Sequence, residues 1–152
     1  MKTSILYTKL GYISVDIHNN CVYGLRFVTL LAGKHLDNSF DGCPTLEKVL
    51  SVVNDESHEH IPVIFAGGTK FQNSVWKVLG TIPRGQIATY MDIAHSIGKP
   101  NAVRAVANAC GANPVPILVP CHRVVRSDGG IGGYSSGVDI KKKLLAREGI
   151  NF

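Results

Sequence analysis

Apolar residues recur with a period near two in the first part of the chain and with a helical period in the second, and the change falls at Gly67-Gly68. Ile13, Val15 and Ile17 alternate as on a half-buried strand. Ser4 to Thr8, Tyr12 to Ile17 and Cys21 to Val28, separated by Lys9-Leu10-Gly11 and His18-Asn19-Asn20, therefore read as three antiparallel strands. Beyond a loop rich in Gly, Asp and Ser, residues Leu46, Val49, Leu50 and Val53 share one face of a helix that begins near Pro44-Thr45. Val63-Ile64-Phe65 has the composition of a further short strand.

From Thr69 the stripe is helical: Phe71, Val75, Val78, Leu79 and Ile82, closed by Pro83-Arg84-Gly85. Thr89 is the expected N-cap of the next helix, with Asp92 three residues on, and Tyr90, Ile93, Ala94 and Ile97 continue one face to Gly98. Across Gly98-Lys99-Pro100, a helix from about Asn101 places Val103, Val106, Ala107 and Cys110 at i, i+3, i+4 and i+7. Two short helices joined through a glycine turn have the pattern of a helix-turn-helix. The expected outer positions of the second are small, Ala102, Ala105, Asn108 and Ala109, with Arg104 as one long cation among them. Such a face lacks the long polar side chains that read a major groove and suits a minor groove instead.

A last helix is expected from about Val138 to Glu148, with Ser136 and Asp139 as a capping-box pair and Gly149 as its stop. Ile140, Leu144 and Leu145 would face the core, and Lys141, Lys142 and Lys143 a solvated surface. The fold class is α+β: a small N-terminal α/β domain with antiparallel strands over residues 1–67, then a mainly helical domain with a helix-turn-helix over 68–152.

Composition fits this picture. With 45% hydrophobic and 18% charged residues in 152, the chain can bury a sizeable core. Its apolar runs, broken by Pro114, Pro116 and Pro120, fall short of the roughly 20 residues a membrane span needs. The first residues lack a secretory pattern, so a cytoplasmic location, or a nuclear one in a eukaryote, is expected, with no membrane partner. The four cysteines, Cys21, Cys43, Cys110 and Cys121, have no framework spacing and read as free thiols. His58 and His60 lie in a polar stretch that reads as a solvated loop, so neither a metal nor a cofactor is expected. Charge divides unevenly: residues 1–68 carry five Lys/Arg against seven Asp/Glu, and residues 69–152 eleven against four. The basic second part suits a polyanion such as nucleic acid.

The chemistry gathers at Val119-Pro120-Cys121-His122-Arg123-Val124-Val125. An isolated cysteine among Val, Ile and Leu is more often a small buried hydrophobe than a nucleophile. Cys121 has different company: His122 and Arg123 beside it, an Asn-Pro-Val-Pro turn before it, and the glycine-rich loop Gly129 to Gly137 after it. A thiol reacts as its thiolate, which nearby cations and proton acceptors favour, and His122 and Arg123 are candidates for both roles. Glu148, a carboxylate at the wrong end of a helix dipole, calls for a partner, and His122 is the expected one.

These residues resemble the O6-alkylguanine-DNA alkyltransferases, the methylated-DNA-protein-cysteine methyltransferases. The resemblance covers Thr69 to Gly149, over half of the chain. Phe71 to Trp76, Thr89-Tyr90, Arg104-Ala105-Val106, Asn113 to Pro116, Pro120 to Val124, Gly133-Tyr134-Ser135, Leu144-Leu145 and Glu148-Gly149 carry it. It implies single-turnover, irreversible transfer of an alkyl group from O6-alkylguanine in double-stranded DNA to Cys121, after the nucleotide is flipped from the duplex. Glu148 would orient His122, which would take the thiol proton through a water. Tyr90 would donate to the leaving base, Ser135 would contact its O6 edge, and the carbonyls of Cys121 and Val124 would receive its amine. Asn113 would brace the turn to the active site, Arg104 would fill the gap in the stack, and Ala105 would lie on the DNA face. Pro116 and Tyr134 would flank the alkyl group. A monomer is implied, acting on DNA alone or cooperatively.

Two positions depart from the family's pattern. Ala107-Asn108 follows Arg104-Ala105-Val106 where glycine is frequent, and Ser136 replaces a glycine in the loop. Two other readings compete. A non-catalytic reader of alkylated DNA would lack the cysteine that Cys121 supplies. A cysteine hydrolase would need direct Cys121-to-His122 proton transfer and an oxyanion element, and neighbouring residues on an extended segment point apart.

Overall fold

The computed structural model of the protein describes residues 1–29 and 42–152. The chain is α+β and divides into two compact units, Met1–Ala66 and Gly67–Phe152.

In the first unit, β1 (Lys2–Thr8), β2 (Gly11–His18) and β3 (Cys21–Phe27) form one antiparallel sheet in that order. Asn19 and Asn20 both take positive φ, 50° and 63°, which gives the β2–β3 hairpin the twist its strands require. Ile13, Val15 and Ile17 of β2 are buried, as are Leu46, Val49 and Val53 of α1 (Pro44–Val53), which lies against β1 and β2. The segment at Val63 is not a strand. It adds one parallel bridge to Val22, with Val22 N donating to Pro62 O and Ile64 N to Val22 O. The Gly-, Asp- and Ser-rich loop falls mostly on residues 30–41, outside the described residues.

The second unit packs α2 (Lys70–Leu79), α3 (Tyr90–Ser96), α4 (Val103–Gly111) and α5 (Val138–Ala146) around Val75, Leu79, Ile93, Val106, Leu144 and Leu145. Capping boxes open two of these helices, Thr69 with Gln72 and Thr89 with Asp92. α3 and α4 pack on each other as the helix-turn-helix, and Trp76 Nε1 donates to Ala109 O at 2.9 Å, tying α2 to α4. A parallel pair of two-residue strands, β4 (Ala88–Thr89) and β5 (Val124–Val125), joins the entry to α3 with the chain just past Cys121.

Three expectations change here. Ala109 is buried, so the outer face of α4 is Arg104, Ala105 and Asn108. α5 starts from Gly137 at φ 105° with no side-chain cap, so Ser136 and Asp139 form no capping box, and it ends at Ala146, leaving Glu148 beyond the helix. Its inward positions are Lys141, Leu144 and Leu145, with Ile140 half-buried; Lys141 is fully buried, and only Lys142 and Lys143 face solvent. Residues i, i+3 and i+4 share one face, and that geometry carries Lys141 inward with the two leucines. Among the described residues, no helix is long and apolar enough to cross a membrane.

Candidate active site

A stiff approach delivers Cys121. Asn113, 8% exposed, accepts from Val115 N through Oδ1 and donates through Nδ2 to Val119 O, both at 2.9 Å. Val119 O also accepts from Cys121 N at 2.8 Å, and Pro120 between them has φ −82° and ψ 62°, the geometry of an inverse γ-turn. Ile117 stands at φ 74°, a left-handed conformation that a β-branched residue rarely adopts. Cys121–Arg123 then form one 3-10 turn that runs into β5, so Cys121 and His122 are not on an extended segment as the sequence suggested.

Cys121 is 4% exposed. Burial pushes its thiol pKa up, and the Asn113 amide, the Lys141 ammonium and a backbone hydrogen bond offset part of the rise. Arg123, expected beside the thiol, points elsewhere. Its Nε and Nη2 donate to Glu148 and its Nη1 to Ile82 O at 2.7 Å, so it serves the carboxylate.

His122 is 1% exposed, and its Nε2 lies 2.7 Å from Glu148 Oε2. Burial lowers the imidazole pKa against the opposing pull of Glu148, which favours the neutral ring. A carboxylate only accepts, so neutral His122 carries its proton on Nε2 and presents the lone pair on Nδ1. That Nδ1 is buried with no hydrogen-bond partner among the described residues. Burial would raise the Glu148 carboxyl, but donors from His122, Arg123 and Gly85 outweigh it and hold its pKa at about 2. Gly85, at φ 83°, donates its N–H to Glu148 Oε1 at 3.0 Å.

A cavity of about 200 Å³ opens on Cys121. α3 supplies Tyr90 to its lining, α4 supplies Ala107, Asn108, Cys110 and Gly111, and the glycine loop supplies Gly133, Tyr134 and Ser135. Burial, then the thiols of Cys110 and Cys121, push the Tyr90 phenol up to about 12, so it is a protonated donor at neutral pH. Burial also raises Tyr134, whose hydroxyl has no partner among the described residues. Gly132, at φ 77°, packs so closely that an added Cβ would sit 2.6 Å from the Tyr90 hydroxyl. Of the remaining expected site residues, Pro116 is buried in the turn, bridged to Val119, and does not line the cavity. Val124 is buried, with its carbonyl accepting from Lys141 Nζ at 2.7 Å. Arg104 and Ala105 are exposed in the first turn of α4 and do not line the cavity.

Sequence reasoning missed three contributors: Lys141 beneath the loop, Cys110 as a second thiol on the cavity, and the Arg123 and Gly85 donors that fix Glu148. The helical spacing of Lys141 with Leu144 and Leu145 was a usable signal for the first.

Residues 70–150 match the family described as "6-O-methylguanine DNA methyltransferase, DNA binding domain". The chain is 42% identical to a probable methylated-DNA–protein-cysteine methyltransferase of Acanthamoeba polyphaga mimivirus over 95% of each chain. It is 56% identical to the bifunctional transcriptional activator/DNA repair enzyme Ada of Escherichia coli over 55% of this chain but only 24% of Ada. The crystal structure of Mycobacterium tuberculosis OGT in complex with DNA superposes with a TM-score of 0.81 at 33% identity, covering 96% of this chain and 91% of that one. With a matching fold, a matching DNA-binding domain and similarity along nearly its full length, the chain belongs to the methylated-DNA–protein-cysteine methyltransferases, a family of DNA-repair proteins.

Proposed function

We propose that the protein repairs O6-alkylguanine in double-stranded DNA by moving the alkyl group onto Cys121, once per molecule. The observation that carries this reading is the juxtaposition of a buried Cys121, opening on a cavity, with the His122–Glu148 pair next to it in the chain. The Cys121 sulfur attacks the alkyl carbon as the carbon–O6 bond breaks; guanine leaves, and a thioether remains on the protein. A thioether has no ready leaving group, so the acceptor is not regenerated.

The proton follows the tautomer. Glu148 holds Nε2–H, so His122 Nδ1 takes the thiol proton, with a water as carrier. The departing guanine gathers negative charge, and the Tyr90 phenol quenches it by donation. Ser135 meets the O6 edge of the base. The carbonyls of Cys121 and Val124 take its exocyclic amine; Val124 O keeps a second lone pair beyond the one given to Lys141. Asn113 keeps the approach to Cys121 in place. Tyr134 flanks the alkyl group inside the cavity.

Stacked in a duplex, O6 cannot reach the sulfur of a cysteine that is only 4% exposed, so the nucleotide must be flipped into the cavity. The small outer face of α4 suits the minor groove, with Ala105 against the backbone and Arg104 in the space the base leaves. The first unit supports the second, the protein acts as a monomer or cooperatively along DNA, and it works in the cytoplasm or nucleus without a cofactor. Incubation with duplex DNA carrying one O6-methylguanine, followed by intact mass measurement, is the test. One added methyl per molecule, absent in Cys121→Ala, is expected; lesion-selective binding without any gain would leave a reader that does not repair.

A further inference from the structure

Among the described residues, Lys141 is the only lysine fully buried, and it is buried against the acceptor site. Its Nζ donates to Val124 O at 2.7 Å and to Gly133 O at 3.1 Å, and lies 5.8 Å from the centroid of the Tyr90 ring. Val124 closes the 3-10 turn that starts at Cys121, whereas Gly133 and Tyr90 line the cavity with Cys121. One side chain from α5 thus links the strand behind the nucleophile to the loop in front of it.

No carboxylate neutralises this ammonium among the described residues. The titratable groups that act on it are the thiols of Cys121 and of Cys110 on α4, and the Tyr90 ring of α3 lies beside it. Burial, offset in part by the thiols, lowers Lys141 to about 8, so it is mostly charged at neutral pH. A buried cation without a counter-ion is costly, and a fold that keeps one gains where a neighbour must become an anion. The other cations near Cys121 are committed: Arg123 is neutralised by Glu148, and burial favours a neutral His122.

We propose that Lys141 is the counter-charge of the acceptor site, a positioning residue whose ammonium holds the Gly133 wall of the cavity and favours the Cys121 thiolate. The inference rests on Cys121 being the alkyl acceptor and names the charge that makes it reactive. It also accounts for a thiol that can react from a site whose burial alone would keep it protonated.

Iodoacetamide capture of Cys121 against pH, followed by peptide mass spectrometry, measures this directly. Sulfur–carbon bond formation with loss of iodide reports the thiolate, and the free Cys21 of the first unit serves as an internal comparison. Lys141→Gln removes the charge but keeps a donor for the two carbonyls, and Lys141→Arg keeps the charge. In Lys141→Gln the capture profile should move up by about one pH unit, about tenfold slower capture at pH 7.5, and Lys141→Arg should recover most of the rate. A folded Lys141→Gln protein, checked by Trp76 fluorescence, with an unchanged Cys121 profile overturns the proposal. If that variant does not fold, Lys141→Arg decides: a folded Arg variant whose profile still moves up with the Gln variant's predicted size overturns it, and a wild-type-like profile supports it. Capture needs neither DNA nor alkyl transfer, so this result and that of the repair assay can fail separately.

Discussion

Glu148→Gln probes the carboxylate on which His122, Arg123 and the Gly85 backbone converge. Its oxygens accept from His122 Nε2 at 2.7 Å, Arg123 Nε at 2.8 Å, Arg123 Nη2 at 3.3 Å and Gly85 N at 3.0 Å. The side chains of Glu148 and Arg123 are only 4% and 16% exposed, so water cannot replace the lost charge. Breaking a buried ion pair from one side destabilises by about 3–5 kcal/mol, and an isosteric amide that keeps one acceptor oxygen belongs near about 3 kcal/mol. Urea unfolding followed by fluorescence of Trp76, the single tryptophan, reads this in the unit that contains the site. The pH dependence has a definite sign. The folded carboxyl sits at about 2, below its ordinary 4.5, so its stabilisation is complete above about 4.5 and is lost as pH falls toward 2. The gap between wild type and variant should therefore be full at pH 7 and close on acidification through that window. Transfer should slow on the order of a thousandfold, because the amide can donate to Nε2 and move the imidazole proton to Nδ1. A variant within about 0.5 kcal/mol of wild type at pH 7, or a gap unchanged at pH 3, would refute the reasoning.

Two further substitutions test the cavity wall and the DNA face. Gly132→Ala puts a Cβ 2.6 Å from the Tyr90 hydroxyl at φ 77°, so a loss of at least about 1 kcal/mol and slower transfer are expected; unchanged unfolding and transfer would contradict the close approach. Arg104→Ala removes an exposed side chain, so stability should stay within about 0.5 kcal/mol while repair of duplex lesions slows and reaction with free O6-methylguanine does not; equal losses on both substrates remove its role in flipping.

The legible parts of this chain were those governed by neighbours in sequence. Alternation in β2, the N-cap at Thr89 and the stripe of α2 are local patterns with local causes, and they appear in the structure. β4 and β5 have two residues each, too few to leave a periodic trace, and pair only because the chain returns past Cys121 to the entry of α3. Arg123 was assigned to the thiol because it is near Cys121 in sequence. Its guanidinium instead bridges Glu148 and Ile82 O, contacts over separations of 25 and 41 residues that no short window reveals. Lys141 was assigned to solvent because it opens a run of three lysines. Residue type outweighed helical phase in that reading, whereas in the fold the phase prevails because two backbone carbonyls satisfy the ammonium.

The turn ahead of Cys121 has a kinetic consequence. Pro114, Pro116 and Pro120 restrict the backbone even before folding, and Ile117 is held in a twist that its branched side chain opposes. Such a segment has few alternative shapes to visit, so the sulfur arrives on a rigid prong with its direction already set. The search in each encounter then belongs to the nucleic acid. If the nucleotide is flipped as proposed, lesions that loosen base stacking should react sooner than well-stacked ones, at equal chemical reactivity, because the waiting time would be that of the base leaving the helix and not of the cysteine finding its aim.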